Sequence, residues 1–129
     1  MTLAWFFRDE VTEATVSVQE MVARYGAVVP ALWHLEVGSG LRIAERRKRV
    51  DAGFVARAIA NLGSLRIEVD SETARHAWSA TMRLAAAHDL TIYDASYLEL
   101  AVRRGLPIAS LDRAMCQAAA ALGVATARH

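Results

Sequence analysis

The sequence predicts an α/β sandwich, a short parallel β-sheet flanked by helices. Helical patterns recur along the chain, and the segments between them are apolar runs of only a few residues, such as Ala27-Val28-Val29-Pro30 and Leu65 to Val69. Short, uniformly apolar strands alternating with helices are characteristic of parallel strands covered on both faces. The length, 129 residues, suits a single domain over residues 1–129, large enough to bury a core without disulfides or structural metal.

Taken in order, residues 3–7 read as a helical turn. Residues 12–24 form a helix that Gly26 closes as a C-cap residue. Ala27 to Pro30 is the first β run, and Pro30 opens the next element. Residues 31–46 form a long helix with two apolar stripes. One holds Leu32, Leu35, Ser39 and Ile43; the other holds Trp33, Val37, Gly40, Leu41 and Ala44. A helix apolar on nearly every face should be covered on both sides. Residues 52–62 are a third helix with Phe54, Val55, Ala58, Ile59 and Leu62 inward. Leu65 to Val69 is a strand, and Ser71 caps a helix that runs to about His88. A further helix spans Tyr93 to Arg104 and stops at Gly105. Pro107 to Leu111 is a strand, Asp112 starts the final helix, Gly123 ends it, and a last strand follows from Val124.

Composition narrows the function classes. Hydrophobic residues make up 54% and charged residues 22%, as in an ordinary globular protein. Lys and Arg number 15 against 14 Asp and Glu, so any nucleic acid must be held by a local patch rather than by bulk charge. The single Cys116 excludes an intramolecular disulfide and reads as a buried structural thiol in a reducing compartment. No apolar run approaches a membrane span, and residues 1–7 carry neither a basic leader nor a cleavage site. A cytoplasmic protein is expected.

Three carboxylates stand in unusual places. Glu36 lies mid-helix beside Leu32, Leu35 and Ser39, where a charge is costly unless paired, metal-bound or open to a cleft. Asp94, in Leu90-Thr91-Ile92-Tyr93-Asp94-Ala95, opens a helix and could form a capping box with Thr91. Asp112 follows a strand directly and precedes a helix, so it could be an N-cap alone. Ligands of parallel sheets collect at the carboxyl ends of the strands. If these three ends converge, the acids would repel one another, and a divalent cation would relieve that repulsion. Such an ion would also activate water for attack on a phosphodiester. Buried ion pairing of Glu36 to an arginine is the competing reading.

These segments resemble a known family. Ala27-Val28-Val29-Pro30-Ala31-Leu32-Trp33-His34-Leu35-Glu36-Val37 is similar to the second-acid region of VapC-type PIN toxins. Leu90 through Ala101 resembles the third-acid segment, and Leu106-Pro107-Ile108-Ala109-Ser110-Leu111-Asp112 the fourth. Leu3 to Glu10 is similar to the family's first helix and the turn after it. The resemblance implies a PIN-like three-layer sandwich and a Mg²⁺- or Mn²⁺-dependent endoribonuclease acting on tRNA or mRNA. It also implies a homodimer restrained by a VapB-type antitoxin. Glu36, Asp94 and Asp112 would then bind metal or orient the attacking water, with Ser110 and Ser39 in support. Trp5, Phe6 and Phe7 would contact antitoxin or a second copy, or else pack in the core. Family members begin with a short strand ending in Asp; Met1-Thr2-Leu3 does not match it, so the first acid is expected to be missing. That expectation makes a catalytically inactive PIN-like binding domain the alternative, with another metal-dependent phosphohydrolase as a third class.

The basic run Arg46-Arg47-Lys48-Arg49 could grip RNA phosphates or simply complement a helix C-terminus in solvent. His34, His76, His88 and His129 have no metal-ligand spacing. Asp89 and Glu99 read as surface groups.

Overall fold

The computed structural model describes residues 20–110 and 112–126. The expected turn at residues 3–7, the place of the first strand expected to be missing, Trp5, Phe6 and Phe7, the start of the 12–24 helix and Leu111 lie outside the described residues. Residues 20–25 are helical. Gly26 ends them with a left-handed φ of +79°, its amide donating to the Val22 carbonyl at 2.8 Å. A Cβ at this position would stand 2.7 Å from the Arg66 carbonyl oxygen, so the close strand pairing requires glycine.

Strand β1 (Ala27–Val29) pairs in parallel with β2 (Ile67–Val69), Ala27 opposite Ile67 and Val29 opposite Val69. The ladder continues at both ends, from the Ala27 amide to the Arg66 carbonyl (2.9 Å) and from the Asp70 amide to the Val29 carbonyl (2.8 Å). Two helices connect the strands, α1 (Trp33–Arg46) and α2 (Ala52–Gly63), the second capped by Asp51 accepting from the Phe54 amide at 2.8 Å. After β2 come α3 (Thr73–Ala77), α4 (Ala80–His88), α5 (Ile92–Arg104) and α6 (Arg113–Ala121). This helix-rich chain with a short parallel sheet is the α/β fold expected.

Four details differ from expectation. The runs at 107–111 and from 124 meet among the described residues as a single bridge, Ile108 opposite Thr126. Pro107 has no amide to donate, and the Ser110 hydroxyl already accepts from the Asp112 amide at 3.0 Å, committing that backbone to a helix cap. The helix expected from a Ser71 cap to His88 has Glu72 rather than Ser71 at its N-cap, with no side-chain capping bond, and is broken at Trp78 and Ser79. Ser79 turns back on the preceding helix, its amide donating to the His76 carbonyl at 3.2 Å. Helix α1 buries only the stripe of Trp33, Val37, Leu41 and Ala44; Leu35, on the other stripe, is 79% exposed. Ile59 is likewise exposed, on the rim of a groove of about 400 Å³ between α1 and α2 floored by Trp33, Val37, Leu41 and Leu62.

Two apolar clusters form the core. Val29, Trp33, Val37, Leu41, Ala58 and Leu62 join β1, α1 and α2. Leu98, Ala101, Ile108, Met115, Ala118 and Ala119 join α5 to α6. Tyr97 of α5 packs against both.

A buried ion network ties β2 to α5. Asp70, immediately after β2, is 4% exposed, and Glu99 is 5% exposed. Glu99 is therefore no surface group: Arg103, one turn further along α5, donates to its Oε2 at 2.7 Å and to Asp70 Oδ2 at 2.6 Å. The hydrogen bonds from Arg103, with a further one from Thr73, hold the Asp70 carboxyl below the usual carboxylate range against the opposing effect of burial. In turn Thr73 Oγ1 accepts from the Ala31 amide at 3.0 Å, locking the turn before α1 to the start of α3.

Arg103→Met should leave two buried carboxylates unpaired and cost about 3–5 kcal/mol in urea unfolding. The unfolded chain protonates Asp70 first as pH falls. Its contribution is therefore complete above the unfolded pKa of about 3.9 and fades below it. Asp70→Asn should accordingly be less stable than the parent at pH 7 and lose less stability between pH 5 and pH 3, as read by thermal melts at each pH.

Candidate active site

The β1–α1 connection sets the first acid. Pro30 closes β1, the Trp33 amide bonds the Pro30 carbonyl at 3.0 Å, and Glu36 follows in the first turn of α1. A carboxylate is favoured there by the positive end of the helix dipole. The second acid is set by α5, whose N-cap is Thr91, its hydroxyl accepting from the Asp94 amide at 3.0 Å. Because Thr91 performs the capping, the Asp94 carboxylate projects from the first turn with its side chain half-buried.

Tyr97 brings these two elements together. Its hydroxyl donates to Glu36 Oε1 across 61 positions of sequence. Burial raises the phenol's pKa above its ordinary value, and the hydrogen bond and charge of Glu36 and then the charge of Asp94 add to the shift. Glu36 is thus bonded directly to the hydroxyl, and Asp94 lies one turn before Tyr97 on α5. Neither the expectation of a bare acidic cleft nor that of a Glu36–arginine pair included Tyr97. A signal was present, since Tyr97 lies one turn after Asp94 on the same helix face, with a ring that can be buried and a hydroxyl that needs a partner.

Asp112 stands elsewhere in role. It is the N-cap of α6, with Oδ1 accepting from the Met115 amide at 3.1 Å, and its side chain faces solvent. Ser110 is half-buried and supports that turn through the Asp112 amide, while the half-buried Cys116 donates its thiol to the Ser110 carbonyl at 3.4 Å. Ser39 is exposed on α1. Among the described residues, no group of three or more His, Cys, Asp or Glu side chains is placed to hold a metal ion. Glu36 and Asp94 each offer the hard oxygen donors that Mg²⁺ takes, an ion that commonly binds one or two carboxylates and completes its shell with water and substrate oxygens. Asp70 also lies at a strand's carboxyl end, but Arg103 and Thr73 occupy its oxygens.

The basic run lies at the far end of α1 from Glu36, and all four side chains are exposed. Arg47 is the C-cap, Lys48 turns left-handed with φ +59°, and the Arg49 amide reaches back to the Ala44 carbonyl at 3.0 Å. This is a Schellman closure in which lysine occupies the position usually held by glycine. Glu36 and Arg47 are eleven residues apart, so they share nearly one helix face at a separation of about 16 Å. Among the described residues, no helix is long and apolar enough to cross a membrane.

Sequence comparison gives an independent view of this arrangement. A family model of the PIN domain matches residues 2–121. No curated protein matches the chain.

The capping role of Asp112 is separable from any catalytic one. Asp112→Ala should lower stability by about 1 kcal/mol, whereas Asp112→Asn, which retains a capping oxygen, should melt within a few tenths of that of the parent. Paired urea titrations of the two variants check this.

Proposed function

The chain belongs to the PIN domain family, a nuclease fold, and on that premise we propose that it is the RNA-cleaving toxin of a type II toxin–antitoxin pair, of the VapC type. The observation that supports the reading is the Tyr97 hydroxyl bonded to Glu36, which ties α1 to the helix whose first turn carries Asp94. In this reading Glu36, Asp94 and Asp112 hold Mg²⁺ or Mn²⁺ or orient the attacking water, with Ser110 and Ser39 beside them. The ion supplies, when bound, an activated water and stabilisation of the charge that develops on the phosphodiester. Arg46, Arg47, Lys48 and Arg49 hold RNA phosphates two to three nucleotides from the cut, a placement supported by their exposure at the other end of the helix that carries Glu36.

The substrate is tRNA or mRNA, and the partners are a VapB-type antitoxin and a second copy of the chain. Leu35, 79% exposed, and Ile43 lie on one face of α1 and are proposed contacts of a protein partner. Trp5, Phe6 and Phe7, outside the described residues, are proposed contacts of the same kind. A second reading, a PIN-like domain that binds antitoxin or RNA without cutting it, is favoured by two observations. Asp112 serves as a cap, and no three acids among the described residues are placed to share an ion.

Incubation of the chain with mixed tRNA and mRNA distinguishes the two. Cleavage that requires Mn²⁺ or Mg²⁺ and is lost in Asp94→Asn and Asp112→Asn is the expected result. RNA binding of equal strength by parent and Asp94→Asn, with no cleavage by either in any metal, would establish the binding-only reading. Lys48→Gly provides a separate check on the basic run. It should raise stability by about 1 kcal/mol by removing a left-handed lysine. It should also reduce the slope of log affinity against log salt by about 0.7, one phosphate contact to single-stranded RNA.

A further inference from the structure

We propose that Tyr97 is a positioning residue for the cation site, its hydroxyl fixing Glu36 so that the second carboxylate oxygen and Asp94 face one ion. This inference rests on the nuclease reading above and adds a residue to it.

Three observations support it. The Tyr97 hydroxyl has a single proton, and it goes to Glu36 Oε1. With that oxygen engaged, Glu36 keeps Oε2 for another partner, and its rotation is restrained from outside its own helix. The ring that carries the hydroxyl is held on both sides, since Tyr97 packs against the cluster of Trp33 and Val37 and against that of Leu98 and Met115. Finally, Asp94 sits one turn earlier on the same helix, in its first turn. One rigid helix thus fixes the distance between the group that orients Glu36 and the other carboxylate. Carboxylates that bind metals are themselves usually hydrogen-bonded, and losing that outer partner weakens metal binding.

A purely structural tyrosine would join α1 to α5 and do no more. Tyr97→Phe separates the two roles, because it keeps the packed ring and removes only the hydroxyl. Mn²⁺ binding to the 129-residue chain, measured by isothermal titration for the parent, Tyr97→Phe and Glu36→Gln, is the test, with melting curves run in parallel without metal. The expected result is Mn²⁺ affinity weakened about 10–100-fold in Tyr97→Phe. Unchanged affinity in Tyr97→Phe overturns the proposal, whatever happens to the melting temperature, and leaves the nuclease reading standing. Absence of Glu36-dependent binding in the parent removes the metal site itself and this proposal with it. Should Tyr97→Phe fail to fold, the parent chain still decides. With tyrosines labelled at Cζ, Mg²⁺ should shift the Tyr97 resonance more than those of Tyr25 and Tyr93, and Glu36→Gln should abolish that shift. No selective shift would falsify the assignment.

Discussion

The Arg103 guanidinium, forked between Asp70 and Glu99, is the constraint on which the site depends. Asp70 lies at the end of β2 and Glu99 within α5, so the fork sets how α5 lies against the sheet. Two buried carboxylates facing one cation are tolerable only with good geometry, because each has given up its water. The donors reach both acids at hydrogen-bonding distance, and Thr73 takes part of the remaining demand from Asp70. Tyr97 is six residues, about 9 Å, from Arg103 along α5. The same helix thus carries the fork to β2 and, through Tyr97, the bond to Glu36 on α1. The apolar clusters reinforce the arrangement, since Tyr97 closes one edge of each.

Much of this was legible in the sequence, and the part that was not has physical causes. Local chemistry read well: Gly26 ends its helix, Thr91 and Asp112 cap theirs, and Gly105 closes α5 with a left-handed turn. Such features depend on a few neighbouring residues. Long-range partners read poorly. The i, i+4 pair of Glu99 and Arg103 is visible in the sequence, but its burial depends on Asp70, 33 positions from Arg103. Helix α1 looked apolar all round because hydrophobic pattern does not tell which stripe meets the rest of the fold; only the stripe of Trp33, Val37 and Leu41 does so among the described residues. Strands of three residues carry too little pattern to separate a paired run from the single bridge at Ile108.

Charge is arranged along α1 in a way that bulk composition conceals. The formal net charge of +1 is near neutrality, yet the helix places an acid in its first turn and a cluster of exposed cations just past its last. Each end agrees with the helix dipole, so the arrangement carries little electrostatic cost. It also separates the group that would organise a cation from groups that would hold a polyanion. Cations placed beside Glu36 would pair with it and compete with metal. At about 16 Å, beyond a Debye length at physiological salt, the cations leave the acid's charge unsilenced.

Asp112 shows why a structural role and a catalytic one need not compete. A carboxylate has two oxygens and about four acceptor positions. Capping α6 uses Oδ1 for the Met115 amide, and the side chain stays open to solvent. The cap fixes the side-chain rotamer, as a metal-binding or water-orienting acid would require. Thr91 makes the complementary choice on α5: by supplying the cap itself it leaves the Asp94 carboxylate unengaged by its own helix. The contrast divides the acids by how each is held. Among the described residues, Glu36 is engaged by the Tyr97 hydroxyl and Asp112 by its own cap, whereas the Asp94 carboxylate takes no part in the cap of its helix. The same residue type at a helix start is thus held in different ways by the choice of capping residue.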